Sequence, residues 1–422
     1  MEIAELYNIW LAHPNISTDT RRILSGCIFF ALKGDNFDGN NFASKALQLG
    51  ANYVVIDNAD LVIGSDPRYL LVNNVLETLQ LLANHHRRQL KIPVLAITGS
   101  NGKTTTKELA KCVLSKKFKV NATIGNLNNH IGVPLTILST TKDVEFLIVE
   151  MGANHQGEIN NLCHIAQPDF VMITNIGKAH LDGFGGIEGI RQGKSEMFRY
   201  ASQNNKKIFV NVEDEVLLDL LPKNSTTIPY NPTVLLEILQ IVPVLKVKYR
   251  NEIITTHLFG VYNVANMAFA ACLGEYFDVS SAAIVDALSE YVPDNNRSQR
   301  QFYGTNTLIK DAYNANPSSM ALSLQSFSLL DGDKIVVLGD MLELGEFADA
   351  EHIKIIDLAA SKGFEEMIFV GKNFGNVKQG MPGQYFENIE DARAYFQTRN
   401  YQNKLILLKG SRGISVEKII QD

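Results

Sequence analysis

Residues 94–107 read Val-Leu-Ala-Ile-Thr-Gly-Ser-Asn-Gly-Lys-Thr-Thr-Thr-Lys, and the fold turns on them. Val94–Ile97 is an apolar run with the length of a buried strand. A turn carrying Gly99 and Gly102 ends it, and a helical pattern follows with Leu109, Ala110, Val113, Leu114 and Phe118 on one face. Strand, glycine turn and helix form a phosphate cradle. The glycines let backbone N–H groups approach phosphate oxygens, and the helix N-terminus adds partial positive charge. The nucleotide-binding set expected here is Gly99, Ser100, Asn101, Gly102, Lys103, Thr104 and Thr105. Lys103 reaches the terminal phosphates, and the Thr104 hydroxyl is suited to magnesium.

A Walker A loop has a longer spacer between its glycines than the two residues found here, Ser100 and Asn101. The alternative is an ordinary glycine-rich turn that happens to precede Lys-Thr. The flanking strand and helix favour the phosphate loop.

The 422-residue chain is too long for one core, so two or three domains are expected. Apolar content of 45% and charged content of 20% are ordinary for soluble proteins. A net charge of −6 argues against a general nucleic-acid binder. Cys27, Cys112, Cys163 and Cys272 form no Cys-x-x-Cys pair, which leaves free thiols in a reducing compartment as the expectation. The N-terminus carries Glu2 and Glu5 and does not read as a signal peptide, and no apolar run would span a bilayer. The protein is expected to be a cytoplasmic monomer without membrane insertion.

Three regions follow. Residues 1–90 read as a small α/β domain, with strands at Cys27–Leu32 and Tyr53–Ile56 and helices at Asn41–Leu49 and Asn74–Leu90. Residues 91–297 carry the nucleotide chemistry. Phe146–Val149 is a strand ending in Glu150, where a carboxylate beside a phosphate loop reads either as a magnesium ligand or as a helix cap. Strand Phe170–Ile173 precedes a loop holding His180, either an active-site group or a structural histidine. Lys194 lies on a helix expected over Ile187–Arg199, where a solvated lysine is the ordinary reading. Leu245–Leu258 reads as a β-hairpin, and Asn263 as the N-cap of helix Val264–Phe277. Ser280 caps a further helix, and residues 292–297 are a polar breaker.

Residues 298–422 alternate strands (Leu308–Lys310, Ile335–Leu338, Met367–Val370, Leu405–Leu408) with helices (Ser318–Leu329, His352–Ala360, Ile389–Thr398, Ser415–Ile420). That order implies a parallel sheet. Polar clusters follow the strands at Asp311–Pro317, Gly339–Gly345 and Lys409–Gly413, where such sheets bind ligand. No Gly-x-Gly-x-x-Gly supports a nicotinamide or flavin.

Gly99–Glu108 resembles the shortened phosphate loop of the Mur ligases, the ATP-dependent amide-forming enzymes of peptidoglycan precursor synthesis. Asp19-Thr20-Arg21, Phe29–Gly34, Asn128–Gly132, Asp311–Pro317, Asp340–Gly345 and Lys409–Gly413 are similar to further motifs of that family. The resemblance implies a three-domain α/β fold: a small uridine-nucleotide domain, a central P-loop ATPase domain with a mostly parallel sheet, and a C-terminal Rossmann-like domain. It also implies ATP and Mg2+ as cofactors, with UDP-N-acetylmuramoyl-tripeptide and D-alanyl-D-alanine as substrates. By the same resemblance, Thr104 and Glu150 would hold one metal, and His180 and a carbamylated Lys194 a second, with Lys103, His180 and Lys194 catalytic. Asn263, Arg297 and Asp311 would complete the nucleotide site. Thr20, Arg21, Lys33, Gly34, Asn126, Asn128, Asn314, Asn316 and Lys409 would bind substrate. A sibling Mur ligase, a folylpolyglutamate synthase and, from another class, a P-loop switch or transport ATPase are the competing readings. The motifs at Asp19–Gly34 and Asp340–Gly345 weigh against the first two.

Overall fold

The computed structural model describes residues 1–242, 244–294 and 296–420. Asn295, within the polar breaker, lies outside them. Three separate sheets carry the ligand-binding ends of the strands, one in each expected region. The first is four short parallel strands in the order Ile16–Ser17, Ile28–Phe30, Tyr53–Ile56, Tyr69–Leu71.

The central sheet has six parallel strands: Thr226–Tyr230, Lys207–Asn211, Phe170–Ile173, Val94–Thr98, Phe146–Glu150 and Val120–Ala122. Val94–Thr98 is fully buried, as its unbroken apolar run requires of an inner parallel strand. It comes first in the chain yet sits in the middle, with Phe170–Ile173 on one side and Phe146–Glu150 on the other. The direction of winding therefore switches at its C-terminal end, which opens a crevice there.

The third sheet runs Gln299–Tyr303, Asn306–Lys310, Leu405–Lys409, Lys334–Gly339, Glu366–Val370, Gln384–Phe386. Only its first pair is antiparallel.

Several elements depart from expectation. The helix expected over Asn41–Leu49 splits into a 3-10 turn at Gly39–Phe42 and a helix at Ala43–Gln48. The last helix is a 3-10 segment, Val416–Ile420. The hairpin is present as Lys246–Tyr249 and Glu252–Thr255, with Glu237–Gln240 added as a third strand. Tyr262, and not Asn263, occupies the N-cap of Asn263–Tyr276. The Asn263 amide instead donates to the Phe259 carbonyl at 2.8 Å and to Ser298 Oγ at 3.2 Å.

Helix Val75–Gln89, capped by Asn74, fastens the first sheet to the central region. Arg87 is buried on it and donates to the carbonyls of Ala166 (2.9 Å) and Gln167 (3.0 Å) and to Asp169 Oδ2 (2.8 Å). Those carbonyls close helix Glu158–Ala166, so a buried cation sits at the negative end of its dipole. Among the described residues no helix is long and apolar enough to cross a membrane.

Candidate active site

The phosphate loop is held from both sides. Gly99 adopts φ 139°, and a Cβ there would collide with Thr174 Oγ1. Gly102 adopts φ 80°, and a Cβ there would lie 2.8 Å from Asn266 Oδ1. Both turns thus demand glycine by conformation and by space. The loop after Phe170–Ile173 braces the outer edge. Ser100 N–H donates to the Asn175 carbonyl (3.0 Å), Asn101 N–H to Asn175 Oδ1 (3.1 Å), and Thr174 Oγ1 to the Asn101 carbonyl (2.5 Å).

Lys103 starts helix Lys103–Leu114 and curls back, with Nζ donating to the Gly99 carbonyl at 2.7 Å. Burial pulls its ammonium down to about 8; Glu150 opposes the shift and Arg297 reinforces it. A phosphate displacing the Gly99 contact would favour the charged form further.

Glu150 ends its strand only 2% exposed, accepting from Thr104 Oγ1 (2.8 Å) and Asn128 Nδ2 (2.8 Å). It caps no helix. No direct salt bridge holds it among the described residues, and Lys103 acts on it only through space, so a buried carboxylate faces the cleft with room for a cation. Hard oxygen donors beside a phosphate loop fit magnesium, which takes one or two protein ligands and completes its shell with phosphate and water. Among the described residues there is no cluster of three His, Cys, Asp or Glu side chains that would cage an ion.

The second expected metal pair is built differently. Lys194 is fully buried on helix Ile187–Gln203, not the solvated lysine of the ordinary reading. Its Nζ donates to the Ala153 carbonyl at 3.1 Å and lies 5.2 Å from the Phe184 ring centre. Burial first, then Lys103, push it well below the usual lysine range, while Glu158 and Glu196 oppose. An unmodified amine and an imidazole are not donors that magnesium selects, so this pair fits an ion only if Lys194 gains oxygens. His180 has φ 56°, and its Nδ1 lies 2.5 Å from Glu343 Oε2. That contact lowers the Glu343 carboxyl against its burial.

The loops of the central and third sheets enclose a cleft of about 1050 Å³. Of the expected nucleotide and substrate residues, Ser100, Asn101, Gly102, Lys103, Thr105, Asn126, Asn128, Asn263, Arg297, Asp311, Asn314, Asn316 and Lys409 line it, as do Glu150 and His180. Gly99, Thr104 and Lys194 stand behind that lining. Some lining groups already have structural work. Asn316 Oδ1 caps helix Pro317–Ser328 while its amide donates to Asn101 Oδ1 at 2.7 Å. Asp311 pairs with the buried Lys409 at 2.5 Å.

Thr20, Arg21, Lys33 and Gly34 do not line this cleft. They belong to the first sheet's loops, where Arg21 is clamped on Asp19 and Lys33 pairs with Asp57 at 2.8 Å. The structure adds three residues that sequence reasoning missed: Asn266, Tyr313 and Glu343. The Tyr313 ring lies 3.8 Å from the Arg297 guanidinium and aligns it. Asn266 accepts from Thr106 Oγ1 at 3.0 Å and donates to Asn263. Tyr313 and Glu343 each lie inside a polar cluster that follows a strand, and that placement was the available signal.

Comparison with known proteins agrees along the whole chain. Family models described as "Mur ligase family, catalytic domain", "Mur ligase middle domain" and "Mur ligase, glutamate ligase domain" match residues 14–87, 97–274 and 297–412. The chain is 31% identical over 444 residues to the UDP-N-acetylmuramoyl-tripeptide--D-alanyl-D-alanine ligase of Bacillus subtilis, covering 100% of this chain and 97% of that one. It is 30% identical over 422 residues to the enzyme of that name from Escherichia coli, covering 96% and 92%. Among solved structures, MurF from Acinetobacter baumannii superposes with a TM-score of 0.85 at 30% identity, covering 96% of this chain and 92% of that one. MurF from Thermotoga maritima, in complex with ADP, gives 0.83 at 25% identity, covering 96% of each. With three family domains in order around a shortened phosphate loop, and relatives matched end to end, this chain belongs to the Mur ligase family.

Proposed function

We propose that this chain is the ATP-dependent ligase that joins D-alanyl-D-alanine to UDP-N-acetylmuramoyl-tripeptide, yielding the UDP-pentapeptide, ADP and phosphate. The full-length likeness to ligases of that name supports the substrate pair. The observation that carries the chemistry is the cleft itself. Lys103 and Glu150 face Arg297 and Asp311 across it, so ATP seated on the loop would be held from two domains.

The reaction has two steps. The tripeptide's terminal carboxylate attacks the γ-phosphate of ATP, releasing ADP and leaving an acyl phosphate. The dipeptide amine then attacks the acyl carbon, and phosphate leaves as the amide forms. Two anions must meet in the first step, which calls for positive charge where they approach. Lys103 and Arg297 supply part of it. Thr104 and Glu150 would hold one magnesium, and His180 with a carbamylated Lys194 a second; bound there, these ions would neutralise the phosphates and the carboxylate. Lys194 is suited to carbamylation because burial favours its neutral amine, the form that takes up carbon dioxide. We assign the uridine nucleotide to the first sheet's loops through Thr20, Arg21, Lys33 and Gly34. The division proposed is 1–90 for that nucleotide, 91–297 for ATP, and 298–422 for closing over ATP. Four free cysteines fit a reducing, cytoplasmic setting.

ADP release measured with and without each acceptor tests the reading. Turnover should require both the UDP-tripeptide and D-alanyl-D-alanine. ATP hydrolysis indifferent to both would favour a switch or transport ATPase, and turnover with a different amino acid would favour a sibling ligase.

A further inference from the structure

The segment Asp340-Met341-Leu342-Glu343-Leu344-Gly345 has no part in the chemistry above, yet the structure anchors nearly every residue of it. Asp340 is buried and accepts from the backbone N–H groups of Asn373 (2.8 Å) and Phe374 (2.9 Å). Met341 N–H donates to His352 Nε2 at 3.1 Å, and Leu342 N–H to Ser411 Oγ at 3.0 Å. The Met341 and Leu344 side chains are buried. The Leu342 and Glu343 side chains are left exposed, and Glu343, at φ 64°, is the charged one.

What it meets is the His180 loop of the central domain. Glu343 Oε2 lies 2.5 Å from His180 Nδ1, and its carbonyl accepts from Asp182 N–H at 3.2 Å. Gly345, at φ 53°, abuts the same loop, since a Cβ there would collide with Asp182 Oδ1. Glu343 and His180 are both non-glycine residues in the left-handed region, and they face each other across a domain boundary. Such conformations persist only where the surroundings impose them, and they gather at functional sites. Buried Nδ1 makes no hydrogen bond among the described residues, and the Glu343 carboxylate is the charged group beside it.

We propose that Glu343 is a positioning residue for His180. Docking of the third domain carries its carboxylate onto Nδ1, fixes the ring's orientation and tautomer, and leaves Nε2 as the nitrogen available to the cleft. Carboxylates set imidazole ligands this way from behind. The segment then acts as a hook that makes His180 competent only when the third domain is seated. This rests on the role given to His180 above.

The test uses the full chain labelled with 15N-histidine, bound to a non-hydrolysable ATP analogue, with the His180 signal identified by its loss in His180→Gln. Wild type should show Nδ1 protonated. Glu343→Gln keeps an acceptor and should retain that signature, whereas Glu343→Ala should lose it and show a mixed or Nε2-protonated ring. Turnover should fall about ten- to a hundredfold in Glu343→Ala, with KM for ATP moving far less and Glu343→Gln restoring much of kcat. An unchanged His180 signature and unchanged kcat in Glu343→Ala would overturn the proposal. A wild-type enzyme that shows the signature but makes no pentapeptide would overturn the ligase reading alone.

Discussion

Lys103 lines the cleft and Lys194 stands behind its wall; both reach lowered basicity by burial, but they are placed for different chemistry. Lys103 turns back on Gly99 and awaits an anion. Lys103→Ala should leave folding intact, since at the helix start its ammonium holds only the Gly99 and Ser100 carbonyls, and should cost about 3–4 kcal/mol of transition-state stabilisation. Near-normal turnover in steady-state assays would show that this loop does not hold the reacting phosphates. Lys194 has no acceptor lone pair while charged, so it becomes a ligand only after gaining carbamate oxygens. Lys194→Ala should be nearly inactive, with partial rescue by acetate in the vacated position. A bare amine at Lys194 in a crystal of the active, magnesium- and nucleotide-bound enzyme would sink the carbamate, as would full activity of the alanine variant.

Helix Val75–Gln89 carries a buried histidine that makes stability depend on pH at mild acid. His86 is 4% exposed; Tyr7 Oη sits 3.1 Å from Nδ1, and Nε2 sits 2.9 Å from the Thr140 carbonyl. Burial lowers its basicity, the Thr140 contact opposing and His85 adding slightly. The folded state therefore binds this proton less readily than the unfolded chain. Stability should be full above the ordinary histidine value of about 6.5, fall as pH drops through it, and level off below the depressed folded value. The drop in melting temperature from about pH 7 to about pH 5 should shrink in His86→Gln; equal drops would refute the assignment. At this scale the sequence was legible where burial was two-sided, as in Val94–Thr98 and Phe170–Ile173. It was not legible at edges. Thr226–Tyr230 carries Pro229 and two threonines, and Gln299–Tyr303 is polar and exposed, because an edge strand needs little apolar patterning. The loops of the site could be read from glycine and asparagine density after strands. That Glu343 meets His180 could not, because only the packing of two domains brings them together.

Across the whole molecule, the third domain meets the central one through Asn316–Asn101, Lys178–Glu351 and His180–Glu343. If this domain closes over ATP, changing Asp311 should weaken ATP binding and leave UDP-substrate binding, assigned to the first domain, nearly unchanged. Asp311→Ala would also strand the buried Lys409 charge, at a cost of about 3–5 kcal/mol, so Asp311→Asn is the cleaner variant. Equal losses for both ligands in calorimetric titrations would contradict the division of labour. The buried Arg87 bears on a different question, that of where the chain can be cut. Its guanidinium belongs by sequence to the first region but finds its partners at Ala166, Gln167 and Asp169. A gene fragment stopping near residue 90 would leave the cation with only the Leu90 carbonyl, and one starting there would strip the Ala166 and Gln167 carbonyls of their donor while Asp169 kept Val94 N–H and Lys206. A cut at the boundary drawn along the sequence should therefore cost both fragments stability, so that boundary is a poor place to divide the gene.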